Sequence, residues 1–487
     1  MKFSHIFTAA LLLLCGSSCS SDDPKDQPDE PTGGPDTETP ADPAKTVAET
    51  DAERAIAIID AAVESYFDGQ SMEMARKYNP FTSSRSSELG SVWMYTSSIE
   101  AVNAAMKAMK DLKDAGKPEL YNANWQRYKT LLGNLVDNLD YYAGTFTLTS
   151  YTGTDTWTVY AVDRASVKGG ANVTGVLNVY DDQEWLVREL LEAYSNTAEN
   201  AYLEKAEYLA SYVLDGWDRT LDADGEENGG ITWGPGYTTK HSCSNGPLIS
   251  PLVWLSDIYK GKNDEVTYKK IDADKNRYEV TENKSDYYLG MAEKIYGWQK
   301  RKLFSEADGV YWDMLGADGD ISYETIGGET YRANNRDTGA VGNFYSYNTG
   351  TMLSGAAALA GATGKSEYSA DAASLTASSF SHFAKLGSTL SGYYSFDLTG
   401  FSPWFNGVLM RAYAEAYPVC GAAADCLKAF QNNLDYGYDH FLENGILPVN
   451  LLAGWNRDRS KCDTEAMFTF THAAEYAVLA SHELNKK

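Results

Sequence analysis

From about residue 48 onward, apolar side chains recur at spacings of three and four, the period of a helix with one buried face. Ala55, Ile56, Ile58, Ile59, Ala62 and Val63 form the first such stripe. The same spacing predicts helices near 91–114, 122–145, 182–196, 200–216, 246–260 and 286–303, and then near 348–362, 367–386, 404–416, 424–442 and 464–484. Between them, stretches such as 146–180, 218–245 and 304–347 are rich in Gly, Asp, Asn, Thr and aromatics. Ordered loops of that length are usually functional. No second Pro-rich linker interrupts the pattern, and no long stretch changes to strand-type alternation. About twelve antiparallel helices in one closed pair of layers make an all-α (α/α)6 barrel, with the long loops forming a cleft at one end. A helical solenoid is the competing architecture, but the sequence has no fixed repeat period.

The first 47 residues follow different rules. Lys2, the apolar run Ile6–Leu14 and the small residues Gly16-Ser17-Ser18 read as a signal peptide over 1–18. Cys19, placed directly after the small residues, is the expected lipidation site of a bacterial lipoprotein; ordinary secretion with cleavage near Ser18 is the alternative. Residues 19–47 read as an acidic, Pro-rich tether that cannot bury apolar surface. The acids after the cysteine, in Ser20-Ser21-Asp22-Asp23, resemble the export signal of lipoproteins sent to the outer cell face. The expected location is therefore the outer membrane, facing outward, with the lipid as the only membrane contact.

Charge and composition narrow the chemistry. The chain of 487 residues carries a formal charge of −27, of which about −21 remains once residues 1–44 are set aside, a field that repels nucleic acid. Tyr 34, Phe 16 and Trp 11 make 13% aromatics, which suits a surface for flat, polar ligands such as sugars as well as a tyrosine-rich helical core. Cys243, Cys420, Cys426 and Cys462 lie in the main domain, 48–487. An oxidising compartment permits a disulfide, and Cys420 and Cys426 are spaced to close a small loop. The six histidines are scattered, without transition-metal spacing. Asp222-Ala223-Asp224-Gly225 and Asp318-Gly319-Asp320 lack the full calcium-loop pattern and read as turns. No metal and no cofactor is expected, and neither a nucleophile-elbow motif nor a phosphate-binding loop is present.

The most informative segment is Asn178-Val179-Tyr180-Asp181-Asp182-Gln183-Glu184-Trp185. One reading is structural: Asp181 is the N-cap, Glu184 closes a capping box, and Asp182 favours the positive end of the helix dipole. The other is chemical. Glycoside hydrolysis needs one carboxylate charged and one protonated, and two adjacent carboxyl groups separate their titrations. Helix N–H groups favour the charged form of one, and the other keeps a proton for a leaving oxygen. The two readings are compatible.

Here the chain resembles glycoside hydrolase family 76, the α-1,6-mannanases. The resemblance rests on an ordered set of segments: Tyr180-Asp181-Asp182 with Trp185, Gly229-Gly230-Ile231-Thr232-Trp233, Cys243-Ser244-Asn245-Gly246-Pro247, Tyr347-Asn348-Thr349-Gly350, and Phe405-Asn406-Gly407. The family often has Gln where this chain has Thr349, and Lys where it has Asn406, which bears on subsite detail. The resemblance implies an (α/α)6 fold and endo-hydrolysis of α-1,6-mannan with retention. It makes Asp181 the nucleophile and Asp182 the acid/base. Trp233, Tyr347 and Trp404 are then candidates for sugar stacking, and Asn245 and Asn348 for hydroxyl recognition. Tyr180 and Trp185, which flank the pair, complete the expected binding set. The expected partner is α-mannan or mannooligosaccharides, and the expected state a monomer. The rivals are an (α/α)6 glycosidase of other sugar specificity and a non-catalytic surface glycan-binding lipoprotein. Adjacent aspartates favour the enzyme, since a pure binder has no use for two carboxylates at a scissile bond.

Overall fold

The computed structural model describes residues 45–69 and 71–486. The expected signal peptide, Cys19 and the 19–44 part of the tether lie outside the described residues. The first helix starts slightly earlier than expected. Thr46 caps the first helix, and Glu49 reaches back to the Thr46 N–H at 2.8 Å, a reciprocal capping box.

Twelve α-helices follow among the described residues. They are α1 Val47–Tyr66, α2 Val92–Asp114, α3 Glu119–Asn138, α4 Tyr180–Thr197, α5 Asn200–Asp215 and α6 Gly246–Tyr259, then α7 Lys284–Leu303, α8 Ser346–Thr363, α9 Ser366–Phe383, α10 Ser402–Ala416, α11 Ala423–Phe441 and α12 Ala466–Asn485. The even-numbered helices pack each on the next, and α12 closes the ring against α2. The odd-numbered helices cover them from outside. This is the expected (α/α)6 barrel, and the closed ring excludes the solenoid. No helix among the described residues is long and apolar enough to cross a membrane.

The two layers differ in the way their positions demand. In outer α11 the buried residues Ala423, Cys426, Leu427, Phe430, Leu434 and Gly437 keep one stripe. Inner α8 is buried on nearly all sides, and its sequence is dominated by Gly, Ala, Ser and Thr. The small residues allow close approach: a Cβ on Gly350 would lie 3.0 Å from Leu409 Cα in α10, and one on Gly355 would lie 2.8 Å from Ile249 in α6. Deeper in the ring the facing helices carry buried charge. Arg188 pairs with Glu415, Arg411 pairs with Glu100, and Asn103 Nδ2 donates to Glu189 at 3.0 Å.

The loops depart from the all-helical expectation. Helix α3 ends at Asn138 rather than near 145, and the chain turns into a hairpin, Ala143–Thr149 against Thr154–Tyr160. One face is a threonine ladder, with hydroxyl contacts Thr145–Thr158 at 2.8 Å, Thr147–Thr156 at 3.2 Å and Thr149–Thr154 at 2.9 Å. A second hairpin pairs Glu265–Ile271 with Arg277–Asn283, and a third pairs Tyr323–Ile326 with Glu329–Arg332. Val310–Ala317 lies between Asp337–Phe344 and Lys240–His241. Asp222 directs its carboxylate at the N–H groups of Asp224 and Glu226, as a turn residue does. Cys420 and Cys426 are separate buried thiols and do not form the disulfide that their spacing permits.

Candidate active site

The inner helices begin at one end of the barrel, and their first turns line a cleft of about 1020 Å³. Trp93 comes from α2, Asp181, Asp182 and Trp185 from α4, Tyr347 from α8, and Trp404 and Phe405 from α10. The loop before α6 adds Trp233, Tyr237, His241 and Cys243. The topology brings the positive ends of several helix dipoles to the place where two carboxylates sit.

The start of α4 is built without a side-chain cap. Val179 occupies the cap position, and the Tyr180 N–H donates to the Trp233 carbonyl at 2.8 Å. A loop carbonyl thus satisfies one of the first N–H groups of the helix, and the capping box read into Asp181 and Glu184 does not form. Both aspartates are instead free for the cleft in the first helical turn. Asp182 is 5% exposed. Glu184, one turn deeper, is fully buried, and burial holds its carboxyl well above the usual range.

The environments of the pair differ in a direction that matters for chemistry. Burial raises Asp181, but the Cys243 thiol, the backbone amides of Asp182 and Asp181, and the Trp233 indole N–H favour its charged form. These donors face the carboxylate without reaching full hydrogen-bond geometry on Oδ1. Asp182 is raised well above its usual range by burial and then by the charge of Asp181, with no compensating donor. Burial wins at both positions: Asp181 is pushed up to about 7 and Asp182 further, which makes Asp181 the more acidic of the two.

The expected binding residues divide. Trp185, Trp233, Tyr347 and Trp404 line the cleft. Their rings pack on one another: Trp185 meets Trp404 edge-on at 4.9 Å, Tyr347 stacks on Phe405 at 4.2 Å, and Trp233 stacks on His241 at 4.9 Å. Tyr180, Asn245 and Asn348 lie behind the wall. The Tyr180 ring is buried against Tyr212 and fills the space above Gly216. Asn245 is a backbone staple: Nδ2 donates to the carbonyls of Ile231 at 2.9 Å and His241 at 2.7 Å, and Oδ1 accepts from the Ile231 N–H at 2.9 Å. Asn348 is fully buried and faces Asp313.

Several lining residues were not among the expected site residues. Asp313 is a third carboxylate at the cleft, raised by burial and held back by Asn348. His241 is lowered by burial to about 4, so it is neutral near pH 7. Trp93 and Phe405 complete an aromatic floor with Trp404, the Trp93–Trp404 centroids lying 5.1 Å apart. Trp93 and Phe405 sit in first helical turns that the apolar pattern already placed. Asp313 sits in a strand that it did not.

The fold matches solved structures along nearly the whole domain. A glycoside hydrolase family 76 mannosidase from Bacteroides thetaiotaomicron VPI-5482 superposes with a TM-score of 0.64 at 19% identity, covering 89% of this chain and 99% of that one. An inactive variant of an α-1,6-mannanase from Salegentibacter sp. HEL1_6, with two consecutive aspartates replaced by asparagine, is held in complex with α-1,6-mannotriose. It superposes with a TM-score of 0.58 at 18% identity, covering 89% and 100%. A D-mannose isomerase reaches a TM-score of 0.51 at 11% identity, over 91% and 99%, so the fold alone does not choose a reaction. No curated protein matches the chain. The family model for glycosyl hydrolase family 76 matches residues 98–268 and 277–434. That match spans most of the barrel and includes the Asp181–Asp182 pair: the chain belongs to glycosyl hydrolase family 76.

Proposed function

We propose that this glycoside hydrolase is a retaining endo-α-1,6-mannanase acting on the backbone of fungal-type mannan. The observation that carries the proposal is the unequal carboxylate pair at the cleft. Burial raises both carboxyls, Asp181 to about 7, but donors draw Asp181 back toward its charged form while none does so for Asp182. The Salegentibacter mannanase, inactive when two consecutive aspartates are both replaced, supports a catalytic pair, and the division of roles rests on the two environments.

In this reading Asp181 attacks the anomeric carbon while Asp182 protonates the departing oxygen. Asp182, now charged, then removes a proton from water, which releases the mannosyl group from Asp181. Adjacent positions on one helical turn favour the short carboxylate separation of about 5–5.5 Å used for double displacement over the roughly 6.5–9.5 Å that inversion needs. The aromatic lining provides flat faces for pyranose rings. Lipidation at Cys19 and an outward-facing outer-membrane position complete the proposal, since a polymer is cut where it is met.

Incubation with linear α-1,6-mannan tests it, with proton NMR of the earliest products. The expected result is new reducing ends with the α-anomer first. No reducing ends would refute the substrate, and β-anomer first would refute the double displacement.

A further inference from the structure

Three of the β-hairpins inserted between the helices meet beside the cleft. The Arg332 N–H donates to the Ser150 carbonyl at 2.9 Å, which ties the Tyr323–Ile326/Glu329–Arg332 hairpin to the tip of the Ala143–Thr149/Thr154–Tyr160 hairpin. Arg277, from the Glu265–Ile271/Arg277–Asn283 hairpin, donates to the Tyr151 carbonyl from Nε at 3.1 Å and Nη2 at 3.0 Å. Its guanidinium lies 3.8 Å from the centroid of the Tyr331 ring.

From this junction one buried side chain reaches the cleft wall. Arg332 is 3% exposed; its Nη1 donates to the Pro235 carbonyl at 3.1 Å and its Nη2 to the Tyr237 carbonyl. Those carbonyls belong to the turn after Trp233, and the rings of Trp233 and Tyr237 lie 4.7 Å apart on the cleft. The turn is wedged from the other side. A Cβ on Gly234 would lie 2.4 Å from the Asn178 carbonyl oxygen, and one on Gly236 would lie 2.6 Å from the Gly175 carbonyl carbon. The Trp233 carbonyl in turn accepts the Tyr180 N–H at 2.8 Å, one residue before Asp181. A buried cation is costly to desolvate. Directed at two carbonyls of one turn, it fixes that turn in a single conformation.

We infer that Arg332 is a positioning residue that holds Trp233 and Tyr237 in the orientation that receives the glycan, with the hairpin junction as its anchor. The inference rests on the mannanase reading for its substrate and on geometry alone for its effect on the turn. Arg332→Met keeps the length of the side chain and removes its donors, and Arg332→Lys keeps the charge and some donation. On α-1,6-mannooligosaccharides, Arg332→Met is expected to raise KM by about tenfold with kcat within about threefold, and Arg332→Lys to recover part of the loss. Amide exchange at Trp233 and Tyr237, whose N–H groups donate to Thr239 and Gly234 at 3.0 Å each, is expected to quicken in both variants while the inner helices keep wild-type protection. A wild-type KM in folded Arg332→Met overturns the inference, as does unchanged exchange across the turn. If Arg332→Met does not fold, the same two measurements on Arg332→Lys decide. If the wild type leaves α-1,6-mannan intact, the substrate reading has failed, and the exchange measurement still decides whether Arg332 holds the turn.

Discussion

Replacing Cys243 with alanine isolates the group that most favours the charged form of Asp181. Burial pushes Asp181 up, and the thiol is the largest influence acting against it. A hydrogen bond to a charged group contributes about 1.5–3 kcal/mol, and a thiol, a weak donor, belongs at the low end. Since about 1.4 kcal/mol corresponds to one pKa unit, its loss raises the pKa of Asp181 by about one unit, a roughly tenfold smaller acidity constant. The sign follows from the mechanism. Activity requires Asp181 charged and Asp182 protonated, so the acid limb of the bell belongs to losing the first proton of the pair and the basic limb to losing the second. Cys243→Ala should move the acid limb of kcat/KM up by about one unit and leave activity near the optimum within a few-fold. Cys243→Ser, with a stronger donor, should leave the limb in place or move it down. The assay is reducing-sugar release from α-1,6-mannooligosaccharides across pH. An acid limb in Cys243→Ala at or below the wild-type position would refute the reasoning.

Other outcomes follow from the barrel and from the proposed lipid anchor. Arg188→Met leaves Glu415 without its guanidinium inside the ring, and because that carboxylate is partly exposed the expected loss is about 2–4 kcal/mol in urea unfolding; an unchanged midpoint would show the pair to be incidental. Gly350→Val places a branched side chain against the Leu409 backbone and should cost about 1–3 kcal/mol or more, read as a lowered Tm. Cys19→Ala should move the protein from the membrane fraction to the soluble fraction, and retention in the membrane would refute lipid anchoring at that residue.

Some of the molecule was legible in the sequence because one interaction dominated locally. Outer helices such as α11 face solvent on one side, so their stripe sets the period, and both ends of α11 fall within one residue of expectation. The aspartate pair was legible as chemistry, but its cap was not: the bond that starts α4 comes from the Trp233 carbonyl, far along the chain, and no local pattern reports it. The hairpins were missed for different reasons. The alternation Thr145-Phe146-Thr147-Leu148-Thr149 falls almost wholly in the stretch 146–180 read as a long loop, where seven residues of period two are too few to stand out. In Glu265–Ile271 and Arg277–Asn283 charged, β-branched and tyrosine residues are mixed without alternation over a hairpin with little core, so the period-two signal is weak. Asn245 and Asn348 precede or begin inner helices with the same composition as a sugar-binding turn, and burial alone separates a backbone staple from a ligand contact.

The central claim is that Asp181 and Asp182 perform the cleavage, and turnover of linear α-1,6-mannan by Asp181→Asn and Asp182→Asn tests it most directly, with thermal unfolding run beside it. Neither side chain caps α4, so both variants should fold with a Tm at or above that of the wild type, because a buried pair of competing carboxylates has been relieved. Turnover should fall by about a thousandfold or more in each. Wild-type turnover in either folded variant would contradict the account.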